Sequence, residues 1–225
     1  MLHSAPQLIA GLLITLQVAL FALLFGLGLG MVFAMGELTH SKWLRWPTKL
    51  ITTLSRGLPE IVVLFLIYFG VSRMLTHWAG YYIEINAFVA GSVALGLIFA
   101  SYAGQVFRAA LMAIPVGQSE AAQALGMTRF SIFYRIILPQ AWRYTLPGLG
   151  NLWLVLLKDT SLVSLIGLAD LMTQAALAAS FTHQYFYYYL IAALGYLVLT
   201  FVSTLILKWL TDRVNRHTYS FDVGE

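Results

Sequence analysis

The chain contains no cysteine, which excludes a disulfide framework, a thiolate metal site and a cysteine nucleophile. Charge is scarce too: 10% of its 225 residues are Asp, Glu, Lys or Arg, against about 25% in an average soluble domain. With 60% apolar residues and a mean hydropathy of +0.81, that scarcity excludes a disordered chain and an ordinary soluble enzyme. No G-x-x-x-x-G-K-[ST] occurs, so the chain has no P-loop to cradle a nucleotide. G-x-S-x-G and H-E-x-x-H are also absent. His3, His40, His77, His183 and His217 stand far apart, without metal-ligand spacing. No catalytic residue and no metal site are expected. The thirteen bases are scattered between apolar runs rather than gathered on one solvated face, which argues against nucleic acid as a partner.

What the sequence has is long apolar runs. Roughly 20 such residues cross the hydrocarbon core as a helix, and five stretches qualify: about 8–35, 57–76, 87–111, 147–168 and 185–207. The first could be a signal peptide, but that needs a basic leader and only His3 stands there. Gly26 and Gly30 within it have the GxxxG spacing of close helix packing. The fifth opens on Tyr185, Phe186, Tyr187, Tyr188 and Tyr189, an aromatic belt, and is closed by Lys208 and Trp209. The expected fold is all-α: a single polytopic membrane domain of five transmembrane helices.

Basic residues set the orientation. Lys42, Arg45, Lys49 and Arg56 follow the first span; Arg129, Arg135 and Arg143 follow the third, with Arg108 at its edge; Lys208, Arg213 and Arg216 follow the fifth. The opposite side has Arg73 alone, and Lys158 falls inside a span. By the positive-inside rule the N-terminus lies outside and the C-terminus in the cytoplasm. An odd number of spans shows no internal repeat, so a symmetric pathway would need two chains.

The loop of about 113–146 is the most informative segment. Ser119 is placed to cap a short helix through Glu120, Ala121, Ala122 and Leu125, which ends at Gly126. A second, amphipathic helix carries Phe130, Phe133, Ile136 and Ile137, and Pro139 is expected to stop it. Glu120-Ala121-Ala122, Gly126, Ile136, Leu138 and Pro139 together make E-A-A-x3-G-x9-I-x-L-P. This resembles the cytoplasmic coupling motif of ABC importer permease subunits. Ser55-Arg56-Gly57-Leu58-Pro59-Glu60 and the run from Leu157-Lys158-Asp159 to Ser164 resemble the polar amino acid branch of that family.

The resemblance implies a type I importer permease in the bacterial inner membrane. Its coupling helix, around Ser119, Glu120, Ala121, Ala122, Leu125 and Gly126, would dock on a separate ATPase dimer. No cofactor is expected in this chain, because ATP and Mg would be bound by that ATPase. A periplasmic binding protein would deliver a polar amino acid, arginine first, with histidine, lysine, ornithine and glutamine as alternatives. Surrounding lipid and a second permease subunit complete the expected partners.

Lys158 and Asp159 stand out because a charge at mid-membrane costs about 2.5–3.5 kcal/mol and so should face a cavity or a partner. Neighbours at i and i+1 do not face each other on a helix, so they are not expected to pair together. The resemblance puts Asp159 on the substrate path, with Lys158, Ser161, Gln105, Arg56 and Glu60 as further candidates. Arg56 and Glu60, flanking Pro59, read as gating groups or membrane-end anchors, with anchors the favoured reading. Many relatives carry Glu where this chain has Leu152 and Gln105, and both changes remove an acid. That favours a heterodimer in which another subunit holds more of the substrate, with a homodimer as the alternative. A membrane-embedded enzyme using Lys158 and Asp159, or a proton- or sodium-coupled carrier, would leave the loop motif without a role.

Overall fold

The computed structural model describes residues 5–215; His3, Arg216 and His217 lie outside them. Eight helices follow in order among the described residues: α1 Ala5–Leu38, α2 Lys42–Gly57, α3 Glu60–Ala79, α4 Ala87–Met112, α5 Val116–Ala124, α6 Arg129–Ile166, α7 Leu171–Thr182 and α8 Tyr185–Asn215. Five of them, α1, α3, α4, α6 and α8, are long and apolar enough to cross a membrane.

α4 is the axis of the bundle. Its most apolar stretch is 67% buried within the protein, against 11% for α3 and 6% for α8, which therefore turn most of their surface outward. The tightest seam joins α1 to α4, and small residues make it possible. A Cβ on Gly26 would lie 2.8 Å from the Gly96 carbonyl oxygen, and one on Gly30 would lie 3.0 Å from that of Ala100. No larger side chain fits there without parting the helices, so the GxxxG spacing does mark a packing face. Val18, Leu64, Leu95, Phe99 and Val163 fill the adjoining core.

α7 is fastened to α1 by polar contacts. The Asp170 carboxylate caps it, accepting from the Thr173 backbone N–H at 2.9 Å. The Leu171 N–H donates to Thr15 Oγ1 at 3.1 Å, and Gly11 packs against the Asp170 carbonyl. Burial pushes the Asp170 carboxyl up from its ordinary range, and the hydrogen bonds from Thr173 and Met172 oppose it.

Several boundaries differ from the sequence reading. The helix of the fourth span starts at Arg129, not near 147, and Pro147 lies in its interior. Pro139 does not stop a separate helix. Instead the chain passes through a π turn over Phe133–Ile137 and runs on. A proline lacks the N–H and crowds the carbonyl four residues back, here Arg135; a widened turn relieves that conflict without ending the helix. The second span opens at Glu60 rather than 57, because Gly57 still belongs to α2. Lys208 and Trp209 do not close α8, which continues past Arg213, whose guanidinium sits 5.3 Å from the Trp209 ring centroid. The short helix begins one turn earlier than expected, at Val116 after Pro115, so Ser119 is an interior residue and not its cap. α2 was not anticipated, although Lys42, Arg45, Lys49 and Arg56 alternating with apolar residues spell an amphipathic helix.

Candidate functional site

The most informative cavity lies between the start of α3, the middle of α4 and the second half of α6. It has a volume of about 210 Å³ and is lined by Leu95, Phe99, Tyr102 and Leu152, with two carboxylates, Glu60 and Asp159. Local sequence brings these two together. Leu58 and Pro59 are extended, with ψ of 145° and 140°, so α2 breaks off and Glu60 becomes the first residue of a new helix. An acid in a first turn complements the helix dipole. Asp159 ends the α-helical part of α6, where the chain tightens into a 3₁₀ turn over Thr160–Ile166. Both side chains are half-buried and lie within electrostatic reach of each other. No described base forms an ion pair within 4.0 Å with either, although the Lys158 charge lies within electrostatic reach of Asp159. An apolar, aromatic-walled cavity with two acids, neither in an ion pair within 4.0 Å among the described residues, can receive a cation.

The other substrate-path candidates go elsewhere. Lys158 and Ser161 line a separate cavity of about 490 Å³, with Tyr189 and Tyr196. Lys158 and Asp159 therefore diverge, as the i, i+1 argument requires. Arg56 donates from Nε to the Thr52 carbonyl at 3.0 Å, within its own helix. Gln105 does not line the Glu60–Asp159 cavity; it donates from Nε2 to both oxygens of Glu37, at 2.9 Å each.

That contact exposes a cluster the sequence reading missed. Glu37 ends α1 and is only 8% exposed. Thr52 of α2 donates to it at 2.8 Å, and Arg108 of α4 lies 3.7 Å away. One carboxylate thus ties α2 and α4 to α1. The signal was a lone acid following a long uncharged run. Gln105 also gains a physical reason to be an amide: a carboxylate there could not donate to Glu37 and would repel it. Glu37→Ala strands Arg108 and Gln105 and leaves Thr52 only the Lys49 carbonyl, which should cost about 1–3 kcal/mol. The midpoint of thermal unfolding in detergent should fall by roughly 2–10 °C; an unchanged midpoint would mean the cluster fastens nothing.

A second feature sits apart from the cavity. α5 is a two-turn helix whose Glu120, Ala121, Ala124 and Leu125 are exposed, while Ala122 is buried. Gly126 takes φ +78°, and the N–H groups of Gly126 and Met127 return to the carbonyls of Gln123 and Ala122, a Schellman ending. Gln140 of α6 donates to Gln118 of α5, which links the small helix to the fourth span.

Residues 26–216 match the family described as binding-protein-dependent transport system inner membrane component. The chain belongs to this family. It is 48% identical to the arginine ABC transporter permease protein ArtQ of Haemophilus influenzae over 204 residues, with 91% of each chain covered. It is 44% identical to the ArtQ of Escherichia coli K12 over 219 residues, covering 90% of this chain and 92% of that one. Among solved structures it superposes on an amino acid ABC transporter with histidines at a TM-score of 0.84, with 35% identity, covering 95% and 96% of the two chains. The permease is accordingly an inner membrane transport subunit, and its relatives are transport subunits rather than enzymes.

Proposed function

We propose that this permease imports a cationic amino acid, arginine first, through the cavity that Glu60 and Asp159 line. The observation that carries the substrate class is the pair of half-buried carboxylates facing one cavity, with no ion pair to a base within 4.0 Å among the described residues. A guanidinium offers donors to both acids, and the aromatic wall of Phe99 and Tyr102 accepts its flat faces. The names of the similar permeases support the same substrate.

The N-terminus lies outside and the C-terminus in the cytoplasm, because the basic segments cluster at one end of the bundle. Substrate then enters from the Arg73 side, delivered by a periplasmic binding protein. α5 is the coupling helix that docks on an ATPase dimer in the cytoplasm; its exposed small residues allow close approach, and Glu120 offers a charge to basic groups. The chain binds no cofactor of its own; ATP and Mg sit on that ATPase. A second permease subunit, different from this one, supplies the opposite wall of the path. Leu152 supports that asymmetry, since it lines the cavity at a position where an acid would have strengthened the grip.

Uptake of labelled amino acids into vesicles holding the full complex tests the reading. ATP-dependent arginine accumulation, competed by lysine, ornithine or histidine, is the expected result. Uptake without ATP or without an ATPase subunit would refute it.

A further inference from the structure

A second cavity, of about 380 Å³, opens at the other end of α3 from Glu60, and none of the readings above uses it. Its lining is chemically mixed: Arg73, Glu84, the aromatics Tyr68, Phe69 and Tyr82, and the hydroxyls of Ser72 and Thr76. The segment after α3 is folded back to make it. The Ile83 N–H donates to Thr76 Oγ1 at 2.9 Å, and the Ile85 N–H donates to Ser72 Oγ at 3.3 Å. These two hydroxyls hold residues 83–85 alongside the last turns of α3. Tyr68 then donates to Glu84 Oε1 at 2.8 Å and fixes the carboxylate in place. Tyr68 and Phe69 belong to a π turn over Leu66–Val71, where the helix is widened beside the cavity.

Arg73 and Glu84 do not neutralise each other, for no ion pair joins them within 4.0 Å among the described residues. A fixed anion, a flexible cation and three aromatic rings thus face one space at the lower end of the range for small-molecule sites, roughly 300–1,000 Å³. An amino acid zwitterion with a cationic side chain carries the complementary charges. Its α-carboxylate suits the forked Arg73 guanidinium. Its cationic end suits Glu84, whose Oε2 has no partner among the described residues, and the faces of Tyr82 and Phe69.

We infer that this cavity is an entry subsite, which holds the amino acid by Arg73 and Glu84 before it passes to the cavity of Glu60 and Asp159. The inference rests on the import of a cationic amino acid proposed above. Capture by opposite charges at the mouth orients the substrate with one end on each residue. Tyr68 is a positioning residue here, acting through Glu84.

The test uses the whole transporter in proteoliposomes, with its second permease subunit, ATPase and binding protein, and labelled L-arginine as the probe. Uptake and ATP hydrolysis are both measured across a range of loaded binding protein, and assembly is checked by gel filtration. Arg73→Gln and Glu84→Gln should each lower maximal arginine uptake about tenfold, the scale of one charged hydrogen bond. ATP hydrolysis and its half-saturating binding protein concentration should stay at wild-type values, so that the ATP spent per arginine rises about tenfold. Tyr68→Phe, which keeps the ring and drops the hydrogen bond, should raise that ratio by a smaller factor, and it carries the test if either charge variant fails to assemble. Wild-type ratios in the variants would overturn the inference alone. A raised half-saturating concentration at unchanged maximal rates would also overturn it, by showing a docking surface for the binding protein. A wild-type complex that moves no arginine would overturn the proposed function and this subsite with it.

Discussion

Asp159→Asn is expected to cut arginine uptake by the reconstituted transporter about 10- to 100-fold while the complex still assembles. The size follows from one charged hydrogen bond lost at a desolvated site, about 1.5–3 kcal/mol. Asparagine preserves the volume at the junction of the α-helical and 3₁₀ parts of α6, so the helix geometry should survive. The structural alternative is that Asp159 only fastens the bundle. Among the described residues it makes no hydrogen bond or ion pair that would do so, in contrast to Glu37. Glu60→Gln should act in the same direction through the same cavity. Uptake at the wild-type rate in Asp159→Asn would remove the residue from the substrate path.

The second large effect is expected at Gly126. Gly126→Asp should abolish stimulation of ATP hydrolysis by the loaded binding protein, together with uptake. Gly126 has φ +78° and leads the chain away from α5 through a Schellman ending. An L-residue in that region costs about 1–2 kcal/mol, and a carboxylate beside the helix C-terminus opposes the dipole. Gly126→Asn tolerates the left-handed backbone without the charge and should keep most of the activity. If stimulation persists in Gly126→Asp, α5 is not the element that the ATPase grips.

The five long helices were legible because apolar length alone marks a span, and the α1–α4 seam because Gly26 and Gly30 carry its spacing. Gly126 was legible because a left-handed ending demands glycine. The start of α6 was not, since Pro139 read as a helix stop and the fourth span was begun near Pro147. A π turn lets the helix run through Pro139, and Pro147 sits in its interior. Ser119 failed as a cap because Pro115, four residues earlier, already leads into the helix at Val116, a choice that propensity at 119–125 cannot reveal. Of the candidate site, the pairing of Asp159 with Glu60 could not be read, because they lie on different helices 99 positions apart. Gln105 was misplaced for the same reason: its partner Glu37 is 68 residues away. Long-range polar contacts inside a bundle leave little trace in local pattern.

The outward faces of α3 and α8 bear on the life of the chain before assembly. An orphan copy in the bilayer would hold Asp159, which lies inside a span, on a wall with no counterpart, at about 2.5–3.5 kcal/mol for a charge left at membrane depth. Against a folding stability of only about 5–15 kcal/mol, that penalty makes survival a matter of stoichiometry. Copies made in excess of their mates should be the first substrates of membrane quality-control proteases.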